Sequence, residues 1–276
     1  MNVRAPVVAD SFYPGTAEEI NVLMDKILEK EKKKIDYSYA RKNLIGCVVP
    51  HAGYVYSAYE AIHFFELIRK SPVRYDTFVI INPNHTGHGE AIEVDSHESW
   101  NTPLGNVDLD GEFIQELKLP VASRAQSQEH SAEVMLPLLQ KALSYPFKIV
   151  PVCMLKQNPD NARTVAMNID FARRKLNRKI MVIASSDFSH FESPAEGKSK
   201  DDMVIEKIEA MNAEKLYETV IRNRISVCGY GPIMTLMEYA GKTAENPRST
   251  VLARGHSGKI RHSDSVVDYI TILFYS

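Results

Sequence analysis

Cysteine is scarce in this sequence. Cys47, Cys153 and Cys228 are the only three among 276 residues. They are too few and too widely spaced for a disulfide framework or a zinc-finger pattern. This excludes a small secreted scaffold and predicts a reduced, cytoplasmic protein. Each thiol is then either a small buried hydrophobe or a working thiolate. Long apolar runs are also missing. No stretch of about 18 apolar residues is available to cross a bilayer, and the first residues lack an apolar signal-peptide core. An excess of charge of either sign is missing too. Lys and Arg number 33 against 35 Asp and Glu, for a formal net charge of −2. That balance gives no electrostatic ground for a nucleic-acid or membrane partner. The one cationic run, Lys30-Glu31-Lys32-Lys33-Lys34, reads as the solvated end of a helix. Repeats, low-complexity tracts and a recognisable linker are absent, so one domain over 1–276 is expected.

What is present is an ordinary globular composition, 44% hydrophobic and 25% charged, in a chain long enough for a large core. Thr16-Ala17-Glu18-Glu19 is a capping box that opens a helix with the stripe Ile20, Leu23, Met24, Ile27 and Leu28. Strands are predicted at 44–49, 76–82, 91–94, 147–154, 179–184, 248–253 and 266–274. Helices are predicted at about 58–68, 110–118, 134–143, 160–177 and 232–240. Residues 196–222 read as two helices with a break near Asn212, and 100–105 as a loop. Strands that alternate with helices, several of them continuously apolar, predict an α/β chain with a mostly parallel or mixed sheet covered on both faces.

Several strand-like runs end in chemistry-bearing residues. His51 follows the first through Pro50, His85 follows the second through Pro83-Asn84, and Asp187 and His190 follow 179–184. In open α/β sheets the carboxyl ends of the strands are where ligands bind. Cys228 precedes a Gly-Tyr-Gly-Pro helix start, where a helix N-terminus is expected to lower a thiol pKa. A lone histidine after a strand is usually structural. Four polar groups gathered on three strand ends are more than loops need. Two histidines plus one further ligand, with open positions, is the arrangement of mononuclear metal sites. A thiolate in the set admits copper or zinc as well as iron, with His190 as acid or base and Asp187 to orient it. His88 and His130 lie in loops near the candidate pocket. His63, His97, His256 and His262 read as structural or surface residues, and Cys47 as packed in its strand.

These residues lie in ordered motifs that resemble the Memo family: Arg4-Ala5, Phe12-Tyr13-Pro14, Pro50-His51-Ala52-Gly53-Tyr54, Asn82-Pro83-Asn84-His85, Trp100 with Thr102-Pro103-Leu104-Gly105, Glu129-His130-Ser131, Ser185-Ser186-Asp187-Phe188-Ser189-His190 and Cys228-Gly229-Tyr230-Gly231-Pro232. The resemblance covers nearly the whole chain. It implies a single-domain α/β/α sandwich similar to class III extradiol dioxygenases, which are non-haem iron enzymes. It implies His51, His85 and Cys228 as metal ligands and Asp187 and His190 as the catalytic polar pair. Tyr54, Asn84, His88, Trp100, Glu129 and His130 then fall in or near the pocket. The implied cofactor is one transition-metal ion, iron or copper first and zinc next. Cys228 stands where the dioxygenases place a glutamate ligand, so ring cleavage is not implied. Microbial members are also linked to AMMECR-type and radical-SAM proteins.

Three function classes follow. The first is a metal protein with redox or oxygen chemistry on a small molecule. The second is a non-catalytic module holding a peptide or phosphorylated ligand, with Tyr54 and Trp100 at its rim. The third is a metal-assisted hydrolase built on Asp187 and His190. Ser185 and Ser186 lack the Gly-x-Ser-x-Gly elbow of a serine hydrolase, whereas a nucleophilic Cys228 activated by a histidine fits the residues.

Overall fold

A computed structural model describes residues 2–276. A two-residue strand β1 (Val3–Arg4) and an irregular segment precede helix α1 (Ala17–Glu31). The predicted capping box is present: Thr16 Oγ1 accepts from the Glu19 amide and donates to the Glu19 carboxylate. The chain continues through β2 (Leu44–Val49), α2 (Tyr54–Lys70), β3 (Thr77–Pro83) and β4 (Ile92–Val94). Residues 100–105, expected as a loop, form most of a hairpin instead, with strands β5 (Ser99–Thr102) and β6 (Gly105–Asp108). Four-residue strands are too short to show periodicity, and Pro103 and Gly105 mark only the turn between them.

Next come α3 (Gly111–Leu117), α4 (Met135–Ala142), β7 (Lys148–Met154), α5 (Pro159–Leu176), β8 (Ile180–Ser185) and β9 (His190–Glu192). The chain ends with α6 (Pro194–Glu209), α7 (Ala213–Asn223), α8 (Tyr230–Thr243), β10 (Arg248–His256) and β11 (Val266–Tyr275). Asn212 marks the predicted break and caps α7 by accepting from the Lys215 amide. Pro137 falls in the first turn of α4, where the missing N–H removes no helical bond.

The main sheet has the order β10-β11-β2-β8-β3-β7-β4, with β9 also paired to β11. β2, β8, β3 and β7 are parallel neighbours. The flanks are antiparallel, so the sheet is mixed around a parallel centre. Every residue of β2, β3 and β8 is buried, which explains their unbroken apolar runs. The connection from β2 to β3 runs toward the β4 edge, and that from β7 to β8 runs back. Right-handed crossovers in opposite directions put their helices on opposite faces. Accordingly α2 packs on β2, β10 and β11, while α8 packs on β2, β3 and β8 and against α5. β1, β5 and β6 form a separate three-stranded sheet.

Candidate metal centre

The order β2-β8-β3 places three strand ends side by side. β2 leads to His51, β8 to Asp187 and β3 to His85. Ligand atoms of His51, His85 and Cys228 all lie within 4.8 Å of one another. The structure thus gathers three residues that are separated by 34 to 177 positions in sequence.

Supporting groups fix the two imidazoles. His51 Nδ1 is 2.7 Å from Ser185 Oγ, and that hydroxyl donates to the Ser131 carbonyl. The Ser185 oxygen must therefore accept from His51 Nδ1–H, which leaves Nε2 with a free lone pair. That Nε2 lies 3.3 Å from Cys228 Sγ. Two ligands sharing one ion at ordinary metal–sulfur and metal–nitrogen distances would stand about 3.5 Å apart in tetrahedral geometry. The observed separation fits such an ion. His85 Nδ1 donates to Glu129 Oε1 at 2.9 Å, so its Nε2 is free as well. This carboxylate–imidazole pairing is the usual device for orienting a metal-ligating histidine. Burial pushes His51 well below its ordinary pKa, aided by the neighbouring imidazoles of His130, His85 and His190, so it is neutral and able to bind a metal.

Glu129 belongs to a second cluster, with His85 and His130. Its Oε1 accepts from His85 Nδ1, the His130 and Ser131 amides and the Ser131 hydroxyl, and Oε2 accepts from the His85 amide. Burial raises its pKa, but those bonds and the His85 and His130 imidazoles win and hold it at about 2. A carboxylate so occupied orients ligands better than it serves as one. His130 is held at about 4, chiefly by burial and against the pull of Glu129. Its ring packs on Phe12 and His85.

Cys228 corrects one expectation. Burial, followed by the Asp187 carboxylate, raises its thiol pKa rather than lowering it. Desolvation outweighs the pull of the α8 terminus, so a thiolate here calls for a cation beside it. The setting is nonetheless built for sulfur: the Asp187 amide donates to Sγ at 3.2 Å. A Cβ on Gly229 would come within 2.3 Å of the Ser185 carbonyl oxygen, so only glycine lets the chain pass this close to the β8 end. Gln157, just beyond β7, clamps the loop by donating to the Cys228 carbonyl and accepting from the Gly231 amide.

Asp187 Oδ1 accepts from the His51 amide at 2.8 Å, and burial raises its pKa to about 6 against that bond and the charge of His190. His190 Nδ1 donates to the Ser226 carbonyl at 2.8 Å, which frees its Nε2. Its position rests on a β-bulge: His190 and Glu192 pair with the adjacent residues Val267 and Val266, so Phe191 is extra. Phe191 sits at φ 61 and is 81% exposed. A bulge re-aims a side chain in this way.

Other predicted residues take supporting places. Trp100 is not at a rim: it is 0% exposed, covered by the Arg4 guanidinium at 4.1 Å, and donates to Asp95. Tyr54 is buried too, its hydroxyl donating to the Val134 carbonyl. Asn84 shapes the loop after β3 by accepting from the Thr86 and Gly87 amides and donating to the His88 carbonyl. His88 itself is exposed. Sequence reasoning missed the supporting roles of Ser185, Ser131, Gln157 and Ser226. It also missed a buried clamp in which Arg4 pairs with Glu133 at 2.6 Å and donates to the Gln126 and Glu129 carbonyls. One signal was available: each parallel strand is followed within three residues by a residue able to hydrogen-bond, and Gln157 is among those after β7.

A family profile described as Memo-like protein matches residues 4–273. A MEMO1 family protein of Archaeoglobus fulgidus is 39% identical, with 99% of each chain covered. Another, from Methanocaldococcus jannaschii, is 39% identical with 96% of each covered, and one from Nitrosopumilus maritimus is 33% identical with 99% of each covered. Among solved structures, an uncharacterized protein from Escherichia coli K12 is similar over 76% of this chain and 91% of its own, at 12% identity and a TM-score of 0.48. The full-length profile match and full-length relatives, with the His51, His85 and Cys228 cluster at the sheet's carboxyl edge, show that this chain belongs to the Memo-like protein family.

Proposed function

We propose that the chain is a mononuclear transition-metal protein that works on a small molecule or peptide in the cytoplasm. His51 Nε2, His85 Nε2 and Cys228 Sγ would hold the ion. The observation that carries this reading is the orientation of both imidazoles: each has its Nδ1 spent on a neighbour, which leaves both Nε2 atoms free and sets that of His51 beside the sulfur. The donor set, two imidazoles and a thiol, suits iron or copper and also accepts zinc. A bound iron or copper would supply one-electron redox chemistry and Lewis acidity at its open positions. His190, with Nδ1 fixed on Ser226, offers Nε2 to take or give a proton. Asp187 anchors the His51 backbone through its carboxylate and donates its own amide to the sulfur.

Elemental analysis of anaerobically purified protein tests this. Near-stoichiometric metal is expected in the parent, with a fall of tenfold or more in Cys228→Ala and His51→Ala. Equal metal in all three would sink the ligand assignment. The exposed Phe191 ring beside His190 supports a second reading, a binding module that docks a ligand at this mouth. Tight peptide binding that survives a His51→Ala/His85→Ala double change, without turnover, would favour it.

A further inference from the structure

A cavity of about 370 Å³ lies away from the candidate metal centre, between α2, the end of α1 and β10 with the turn that follows it. Tyr56, Tyr59, Glu60, His256 and Lys259 are among its lining residues. Glu60 is only 9% exposed, and among the described residues its carboxylate has neither an ion-pair partner within 4 Å nor a side-chain hydrogen bond. Its support comes from its own backbone amide and from the charges of Lys259 and Lys34 beyond ion-pair distance, a costly setting for a buried carboxylate. The fold makes room for it at a further cost: Gly255, inside β10, would bring a Cβ within 1.8 Å of Glu60 Oε1. Glycine inside a strand weakens it unless something approaches closely, and here the Glu60 carboxylate does. β10 is also bulged beside the cavity, between Val251 and Ala253.

The other polar groups on the wall are unevenly occupied. Glu31 is taken by Lys34 and His63. Arg254 is taken by Asp201 and Asp202. Lys259 at the mouth donates only to the Arg254 carbonyl, and its charge has no acidic partner within 4 Å among the described residues. His256 Nδ1 is buried without any partner. A carboxylate inside and an unpaired ammonium at the mouth are complementary to a ligand carrying the two opposite charges. Tyr56, Tyr59, Leu252 and Ile260 supply apolar wall.

We propose that this cavity binds a small zwitterion of the amino-acid class, with its ammonium on Glu60, its carboxylate on Lys259 and its side chain against the tyrosines. The site is independent of the metal centre. The twenty common amino acids are screened by thermal shift on the full chain, and hits are measured by calorimetry, with butylamine and butyrate as single-charge controls. Saturable binding of at least one amino acid, weakened tenfold or more in both Glu60→Gln and Lys259→Met, is the expected result. The amide resonances of Gly255 and Gly258 should shift on binding. No saturable binding by any amino acid overturns the proposal, as does binding that persists in either variant. Butylamine binding as well as an amino acid of its size overturns the zwitterion assignment. Thermal unfolding of both variants establishes that they are folded.

Discussion

Glu129 braces the candidate centre from outside the ligand set. It accepts from His85 Nδ1 and from three backbone amides on the two loops that carry His85 and His130. Glu129→Gln keeps the shape and removes the charge that fixes the His85 ring. Metal affinity is expected to fall about 10–100-fold, the usual effect of losing such a partner, and competition with a chelator of known affinity would measure it. Unchanged affinity would show that His85 needs no orienting partner. Glu60 shows the opposite behaviour. Burial raises its pKa to about 7, against the lowering pull of Lys259. The unfolded chain loses this proton first, so stability falls as pH climbs from the ordinary carboxyl range to about 7. Glu60→Gln never ionises, so it should be the more stable protein at about pH 8 by up to about 3 kcal/mol, with a much smaller gap at about pH 5. Urea unfolding at the two pH values decides it, and an equal gap at both would refute the linkage.

Elements carry the next level of the site. The capping box of α1, the break at Asn212 and the buried central strands were all legible, because each rests on local chemistry or on an unbroken apolar run. The β5–β6 hairpin was not, since four-residue strands leave no period to detect. The bulge in β9 was equally hidden: Phe191 is extra only in relation to Val266 and Val267, which lie 75 and 76 residues on. Its φ of 61 costs an L-residue roughly 1–2 kcal/mol. Phe191→Gly is expected to stabilise the fold by about 0.5–1 kcal/mol, part of the relief being offset by glycine's greater freedom when unfolded. Chemical denaturation would measure it, and destabilisation would mean that the ring contributes to folding.

Across the whole molecule, the irregular N-terminal segment proves to be a brace for the centre. Arg4 and Glu133 are both buried, and the Val7 and Val8 amides and the Tyr13 hydroxyl also donate to Glu133. Arg4→Ala would leave Glu133 charged, buried and short of its cation, a change expected to cost about 3–5 kcal/mol. Differential scanning calorimetry would register a large fall in Tm, and a small one would mean that water reaches Glu133 readily. By itself the sequence determined the class of fold and the residue types that end its strands, because hydrophobic period and capping are local properties. It also placed His51, His85 and Cys228 as candidates together, through their motifs. Only the tertiary structure decided what surrounds them. The strand order brings β8 between β2 and β3, and so sets Ser185 under His51 and Asp187 beside the sulfur. It also showed that burial raises the Cys228 pKa, that Trp100 and Tyr54 support the fold from within, and that Glu60 faces a second cavity. Each of these depends on desolvation and on contacts between residues far apart in the chain, which no local pattern encodes.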